Sequence, residues 1–173
     1  MTPPIETRTG HDWTTIEGFF DYWMFYRDIA DAIRDGAMIA EVGVYRGKSV
    51  VFLAQELQKL GKRADIIAVD MWIDADINEF KATLKRCGVD GMVFPRQGDS
   101  AETAGQFFDE CFDFIWIDAA HDYESVKRDI LAWTPKLKPG GIMAGHDADA
   151  PDVLRAVQET IKARIFGNVW IKE

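Results

Sequence analysis

Apolar positions along the chain follow two rhythms. From Thr14 to Arg34 they recur at helical spacing, at Ile16, Phe19, Phe20, Trp23, Met24, Ile29 and Ile33. Thr14 or Thr15 would cap this helix and Gly36 would end it. Its aromatic residues, Tyr22, Phe25 and Tyr26 included, exceed what one packing face needs, so the helix is expected to rim a pocket as well as pack. Short apolar runs then alternate with amphipathic stretches. The pattern predicts strands over 38–44, 65–70, 92–97, 112–118 and 142–145, with helices near 49–60, 77–87, 102–108, 123–131 and 152–164. The run Phe112, Phe114, Ile115, Trp116, Ile117 is almost unbroken, as in a strand buried on both faces. Such alternation with short connections means an α/β chain: a doubly wound, mostly parallel sheet with helices on both faces and right-handed crossovers. The tail Ile165–Lys172 reads as one terminal strand, so the far edge of the sheet is expected to be trimmed. No repeat, low-complexity tract or linker interrupts the chain. Residues 1–173 are read as one domain, with 1–12 an exposed arm and 1–36 a short lid ahead of the first strand.

The first strand runs into a helix through a turn holding Gly43 and Gly47, and the second strand ends in Asp70. Glycines at such a turn let backbone approach a ligand, and the following helix offers free N–H groups. An acid after strand two can accept from ribose hydroxyls. Together they describe a nucleoside pocket. The spacing excludes a dinucleotide fingerprint, because Tyr45 and Lys48 stand where G-x-G-x-x-G needs glycine. A P-loop is excluded too, since Gly43 to Gly47 is one residue short even though Lys48 and Ser49 follow. What remains, Glu41-x-Gly43-x-x-x-Gly47, resembles motif I of the class I S-adenosylmethionine-dependent methyltransferases.

Composition narrows the partners. With 173 residues, 47% hydrophobic and 28% charged, the chain is an ordinary globular domain. A net charge of −9 repels phosphate backbones, so nucleic acid is a poor partner. Pro3 and Pro4 are at the wrong end of the chain for the Pro-Pro motif of amino-methylating DNA enzymes. Cys87 and Cys111 lack C-x-x-C spacing, which argues against a disulfide framework or a zinc site. No signal pattern and no membrane-length apolar run are seen, so a cytoplasmic enzyme with no membrane partner is expected.

In a sheet of this class, ligands sit outside the carboxyl ends of the strands. Those ends carry Gly43; Asp70 with Met71 and Trp72; Gly98, Asp99 and Ser100; Asp118 with His121, Asp122 and Tyr123; and Gly145, His146 and Asp147. Every strand delivers polar groups to one rim. The block from Phe112 to Asp129, with Trp133, Lys138–Gly141 and Gly145–Asp147, is similar to the small-molecule methyltransferase family that includes macrocin O-methyltransferase. It is more distantly similar to catechol and caffeoyl-CoA O-methyltransferases. The likeness covers about residues 37–160 and is specific only over 112–147.

The resemblance implies a minimal Rossmann-like class I fold and a set of roles. Gly43, Gly47 and Ser49, with the Val44 and Tyr45 backbone, would lie against the methionine part of S-adenosylmethionine, oriented by Glu41. Asp70 would hold the ribose, Met71 or Trp72 would flank the adenine, and Asp99 and Ser100 would meet its edge. Asp118 would touch the cofactor as well. Asp118, His146 and Asp147 would bind a divalent metal, with Asp118 and His121 catalytic and His121 the general base. The substrate would be a small hydroxylated molecule. The residue types suit this chemistry on their own terms. A carboxylate-held Mg²⁺ acidifies a hydroxyl, and an imidazole takes its proton near neutral pH.

His146 departs from the carboxylate or amide that metal-dependent relatives carry there, and imidazole favours Zn²⁺, Fe²⁺ or Ni²⁺ over Mg²⁺. An iron or hydrolytic site built from Asp118, His121, His146 and Asp147 is therefore one alternative. A non-catalytic cofactor-binding module is another. The short lid leaves room for a second subunit to close the pocket, which makes a homodimer a candidate assembly.

Overall fold

A computed structural model describes residues 12–173; the expected arm falls almost wholly outside them. Seven strands form one sheet in the order β3-β2-β1-β4-β5-β7-β6. The parallel part comprises β1 (Ala37–Val42), β2 (Ala64–Asp70), β3 (Val93–Gln97), β4 (Phe112–Ile117) and β5 (Leu137–Gly145). Between them run α2 (Lys48–Lys59), α3 (Ile77–Arg86), α4 (Ser100–Ala104) and α5 (Tyr123–Trp133). The order reverses between β1 and β4, and the carboxyl ends of these two neighbours open onto one crevice.

Strand alternation sends side chains to two cores. Ile39, Ile66, Ala68, Phe114 and Trp116 face α2, α3 and the N-terminal helix α1 (Trp23–Ala32). Ala40, Ile67, Val69, Ile115 and Ile117 face α4, α5 and α6 (Pro151–Thr160). The buried apolar runs read from the sequence are thus strands covered on both sides. The register of β4 against β5 shifts between Phe112 and Phe114, where Pro139, Gly140 and Gly141 pass through β5.

Two expectations are corrected. The far edge is not trimmed: β6 (Ala163–Phe166) and β7 (Val169–Lys172) form an antiparallel hairpin. β7 also pairs with β5 through Ala144↔Ile171 and Gly145↔Trp170. The hairpin has room because α6 stops at Thr160, where Ile161 turns extended, rather than running on to 164. Gly167, at φ +60°, makes the turn with Asn168. That dipeptide was the available signal. The second correction concerns the N-terminal helix. Trp13–Thr15 form only a short 3₁₀ turn, capped by Asp12, whose carboxylate accepts from Thr14 N at 2.9 Å. Ile16 is then extended and Gly18 sits at φ +142°, so helix begins again only at Trp23. The intervening Phe20 and Tyr22 are buried in an aromatic cluster with Trp13, Tyr26, Phe52 and Trp116.

Candidate active site

Asp70 organises the turn after β1. Its Oδ2 accepts from Val44 N at 2.8 Å and Tyr45 N at 2.7 Å, and its Oδ1 accepts from Trp72 N at 2.7 Å. Trp72 Nε1 donates to Tyr45 O at 2.9 Å, closing the link from the other side. Tyr45 and Trp72 both hold left-handed backbone, at φ +52° and +48°. Such conformations cost energy and concentrate at functional sites. A carboxylate offers about four acceptor positions. Three are taken here, which leaves Asp70 room for one further donor.

Gly43 stands at φ +86°, and a Cβ there would come within 1.9 Å of the Asp118 carbonyl oxygen. The bare backbone therefore lets the ends of β1 and β4 meet. Gly47, at φ +89°, is packed under the Phe80 ring, 2.4 Å from where a Cβ would fall, and does not reach the cleft. Trp72 is likewise buried against Phe80, so Met71 and Ile73, both exposed, form that wall instead.

Two cavities meet at Gly43, Tyr45 and Asp118. The larger, of about 360 Å³, runs past Asp70, Met71, Asp99, Ser100 and Asp129. The smaller, of about 160 Å³, lies under Glu17, Phe19 and Tyr22 beside Val44 and Ser49. An elongated nucleoside with an amino-acid tail suits this pair: a ribose acceptor stands in the larger chamber, and peptide backbone lines the smaller. The larger chamber falls in the size range of small-ligand pockets.

Beside the junction, Asp118, His121 and Asp147 bring one ligand atom each to within 4.8 Å of one another. His121 Nε2 lies 2.7 Å from Asp147 Oδ2. His146 lies beside both aspartates, its Nδ1 3.8 Å from Asp118 Oδ1. Its Nε2 faces Asp21 Oδ1 at 2.9 Å and Asn168 Nδ2 at 3.2 Å, and its Nδ1 faces Asp147 Oδ1 at 3.2 Å. Among the described residues His121 is grouped with the two aspartates, while His146 presents Nδ1 to the same two carboxylates and has its Nε2 held by Asp21 and Asn168. Two carboxylates and one imidazole fit a divalent cation of borderline character. Asp147 itself is at φ +56°, a conformation aspartate tolerates.

Residues 40–148 match the model of a family described as a methyltransferase domain. The chain belongs to this methyltransferase family. No curated protein sequence matches it significantly. The methyltransferase is similar in structure to cofactor-bound Rv0187 from MTB, with a TM-score of 0.70 and 19% identity over 91% of this chain and 82% of the other. An O-methyltransferase from Bacillus cereus, solved with SAH, superposes with a TM-score of 0.65 and 18% identity over 90% and 80% of the two chains. A SAM-dependent O-methyltransferase from Thermotoga maritima gives 0.66 and 16% over 92% and 67%. These likenesses establish a shared fold.

Two groups in the methyltransferase site, Tyr22 and Tyr26, were not legible as site residues. Tyr22 donates its hydroxyl to Asp118 Oδ2 at 2.9 Å, so the segment before α1 touches the junction directly. Tyr26 donates to Glu41 Oε2 at 3.1 Å, and Ser49 donates to Glu41 Oε1. Glu41 is therefore locked between α1 and α2, away from either cavity. Burial pushes its pKa up to about 8 against the pull of the Ser49 and Tyr26 hydrogen bonds, with the nearby Asp118 adding to the rise. Asp118 is also raised, chiefly by burial, while His146 and the Tyr22 hydroxyl hold it back. Only the aromatic density near Tyr22 hinted at this coupling. Asp99 is spent as the cap of α4, accepting from Glu102 N at 3.1 Å, and as partner of Arg128 Nη2 at 2.6 Å. Ser100 Oγ accepts from Trp133 Nε1 at 2.9 Å.

Proposed function

We propose that this methyltransferase uses S-adenosylmethionine to methylate a hydroxyl of a small metabolite. The observation that carries the reading is the His121–Asp147 pair grouped with Asp118, the residue of the three that lines both cavities. Bound there, the cofactor supplies an electrophilic sulfonium methyl. Asp70 would hold the ribose through its remaining acceptor position, and the backbone of Gly43 and Val44 would line the methionine end.

An alcohol or phenol must lose a proton to attack. With its Nε2–H directed at Asp147, His121 keeps Nδ1 as the base and is fixed in that tautomer. Asp118 sits at the junction to orient the acceptor. The same three residues would hold a divalent cation, which acidifies a hydroxyl by direct coordination. In that state His121 serves as a ligand instead of the base. Dependence of turnover on added metal separates the two versions.

The acceptor is small and not anionic. The rim beside the junction carries Asp21, Asp118 and Asp147, which repel phosphate and carboxylate groups. Phe19, 83% exposed, and Tyr45 offer an apolar face to the acceptor body. Nucleic acid is excluded by the same charge. Among the described residues no helix is long and apolar enough to cross a membrane. A cytoplasmic location and a homodimer that completes the lid belong to the same reading.

The test is turnover of methyl-labelled S-adenosylmethionine against phenols, catechols and hydroxylated sugars and amines, with and without Mg²⁺, Mn²⁺ or Zn²⁺. Oxygen-linked methyl product lost in His121→Ala supports the reading. Methyl transfer to nitrogen or carbon only would refute it.

A further inference from the structure

Asp21 has no task in the scheme above beyond its charge. It lies just ahead of α1 with its side chain half exposed, and its Oδ1 stands 2.9 Å from His146 Nε2. The His146 ring is buried against Tyr22 and Trp116, at 4.7 and 6.4 Å between ring centres. Its Nδ1 lies 3.2 Å from Asp147 Oδ1, and Asp147 Oδ2 lies 2.7 Å from His121 Nε2. Asp21, His146, Asp147 and His121 thus form one line, from the segment before α1 to the exposed imidazole. Asn168 Nδ2, 3.2 Å from His146 Nε2, flanks that line from the turn between β6 and β7. The segment that carries Asp21 is itself tied down. Tyr22 donates to Asp118 Oδ2 at 2.9 Å, Lys48 Nζ donates to Gly18 O at 3.0 Å, and Glu17 pairs with Arg46.

We infer that Asp21 is a positioning residue for the His121 base, acting through His146 and Asp147. The inference rests on the reading of His121 as the base. The torsion that turns an aspartate carboxylate is soft, so contact with His121 on one oxygen does not fix the plane of Asp147. A second contact on the other oxygen does. His146 supplies it, and Asp21 meets the far nitrogen of the same ring. A carboxylate in place of His146 would set acceptor against acceptor at both ends of the line. Alignment of the base matters, because a displacement of about 1 Å costs about 10²-fold in rate. The base in the loop after β4 is therefore aligned from the N-terminal segment, by a residue that touches neither the cofactor loop nor the base.

The experiment is a double-mutant cycle of Asp21→Ala and His121→Ala, run with and without EDTA. It reads kcat and acceptor KM with methyl-labelled S-adenosylmethionine, and S-adenosylhomocysteine affinity by calorimetry. The acceptor is catechol, or the phenol, sugar or amine that outpaces it in the screen above. Asp21→Ala should lower kcat about 10–100-fold, the usual cost of losing a group that orients a site residue, at unchanged KM and unchanged S-adenosylhomocysteine affinity. On the His121→Ala background the same change should cost less than about twofold, because no base is left to align. Unchanged kcat in Asp21→Ala, a loss confined to KM, or an equal loss on both backgrounds would overturn the inference alone. In those cases Asp21 is idle or acts on the acceptor directly. Unchanged turnover in His121→Ala, turnover abolished by EDTA, or turnover of no acceptor would remove the base reading and the inference with it.

Discussion

His121 Nε2 and Asp147 Oδ2 are 2.7 Å apart, bridging the loops that follow β4 and β5. The pair joins an exposed imidazole to a partly buried carboxylate whose backbone is left-handed, at φ +56°. Because the His121 ring is largely solvent-exposed, its removal should leave the fold intact. His121→Ala is expected to retain S-adenosylhomocysteine binding and to lower turnover by about 10²–10⁴-fold, the range for loss of a general base. Asp147→Asn keeps the left-handed conformation and should lower turnover in the same direction. Calorimetry beside a labelled-methyl assay checks both, and unchanged turnover in His121→Ala would remove it from the chemistry.

Glu41 gives the stability a pH signature. Burial pushes its carboxyl up to about 8 in the fold, from the ordinary 4.5 of a solvated glutamate. The native state therefore holds a proton that the unfolded chain has released through this window. The contribution is fully present below about pH 4.5 and is lost as pH rises through about 8. Relative to Glu41→Gln, wild type should lose up to about 1.4 kcal/mol per pH unit across that window. Urea denaturation of both proteins at pH 5, 6.5 and 8 measures it. A difference that stays constant with pH would show that Glu41 is ionised in the fold.

The glycines can be ranked by what a methyl group would meet. At Gly43 it would strike the Asp118 carbonyl at 1.9 Å, whereas at Gly61, with φ +70°, it meets nothing within 4 Å. Gly61→Ala should cost only the backbone strain, about 1–2 kcal/mol. Gly43→Ala should exceed about 4 kcal/mol, the range reserved for disrupted cores, and should abolish ligand binding. Comparable melting temperatures for the two variants would mean that β1 and β4 do not meet as described.

The parallel sheet was readable in the sequence because its strands are buried on both faces and its helices are amphipathic. The two terminal regions were not. In β6, Arg164, Ile165 and Phe166 are exposed and continue the rhythm of α6, so periodicity could not separate helix from strand there. Near the N-terminus, helical spacing ran straight through Gly18, whose φ of +142° no helix accommodates. Within the site, strand ends were sufficient to nominate Asp70, Asp118, His121 and Asp147. They were not sufficient to show that His146 Nε2 is held by Asp21 and Asn168, from two distant segments. Nor did they separate Gly43, which lines the cleft, from Gly47, which makes room for Phe80. Those distinctions are set by contacts across the chain, and no local pattern records them.

The central claim is a nucleoside cofactor site organised by Asp70, whose carboxylate ties together Val44, Tyr45 and Trp72. The most direct measurement is calorimetric titration of S-adenosylmethionine and S-adenosylhomocysteine into wild type and Asp70→Ala, each with and without Mg²⁺. The account predicts micromolar binding of both ligands by wild type and no measurable binding by Asp70→Ala. Absence of binding by folded wild type in every condition would contradict it.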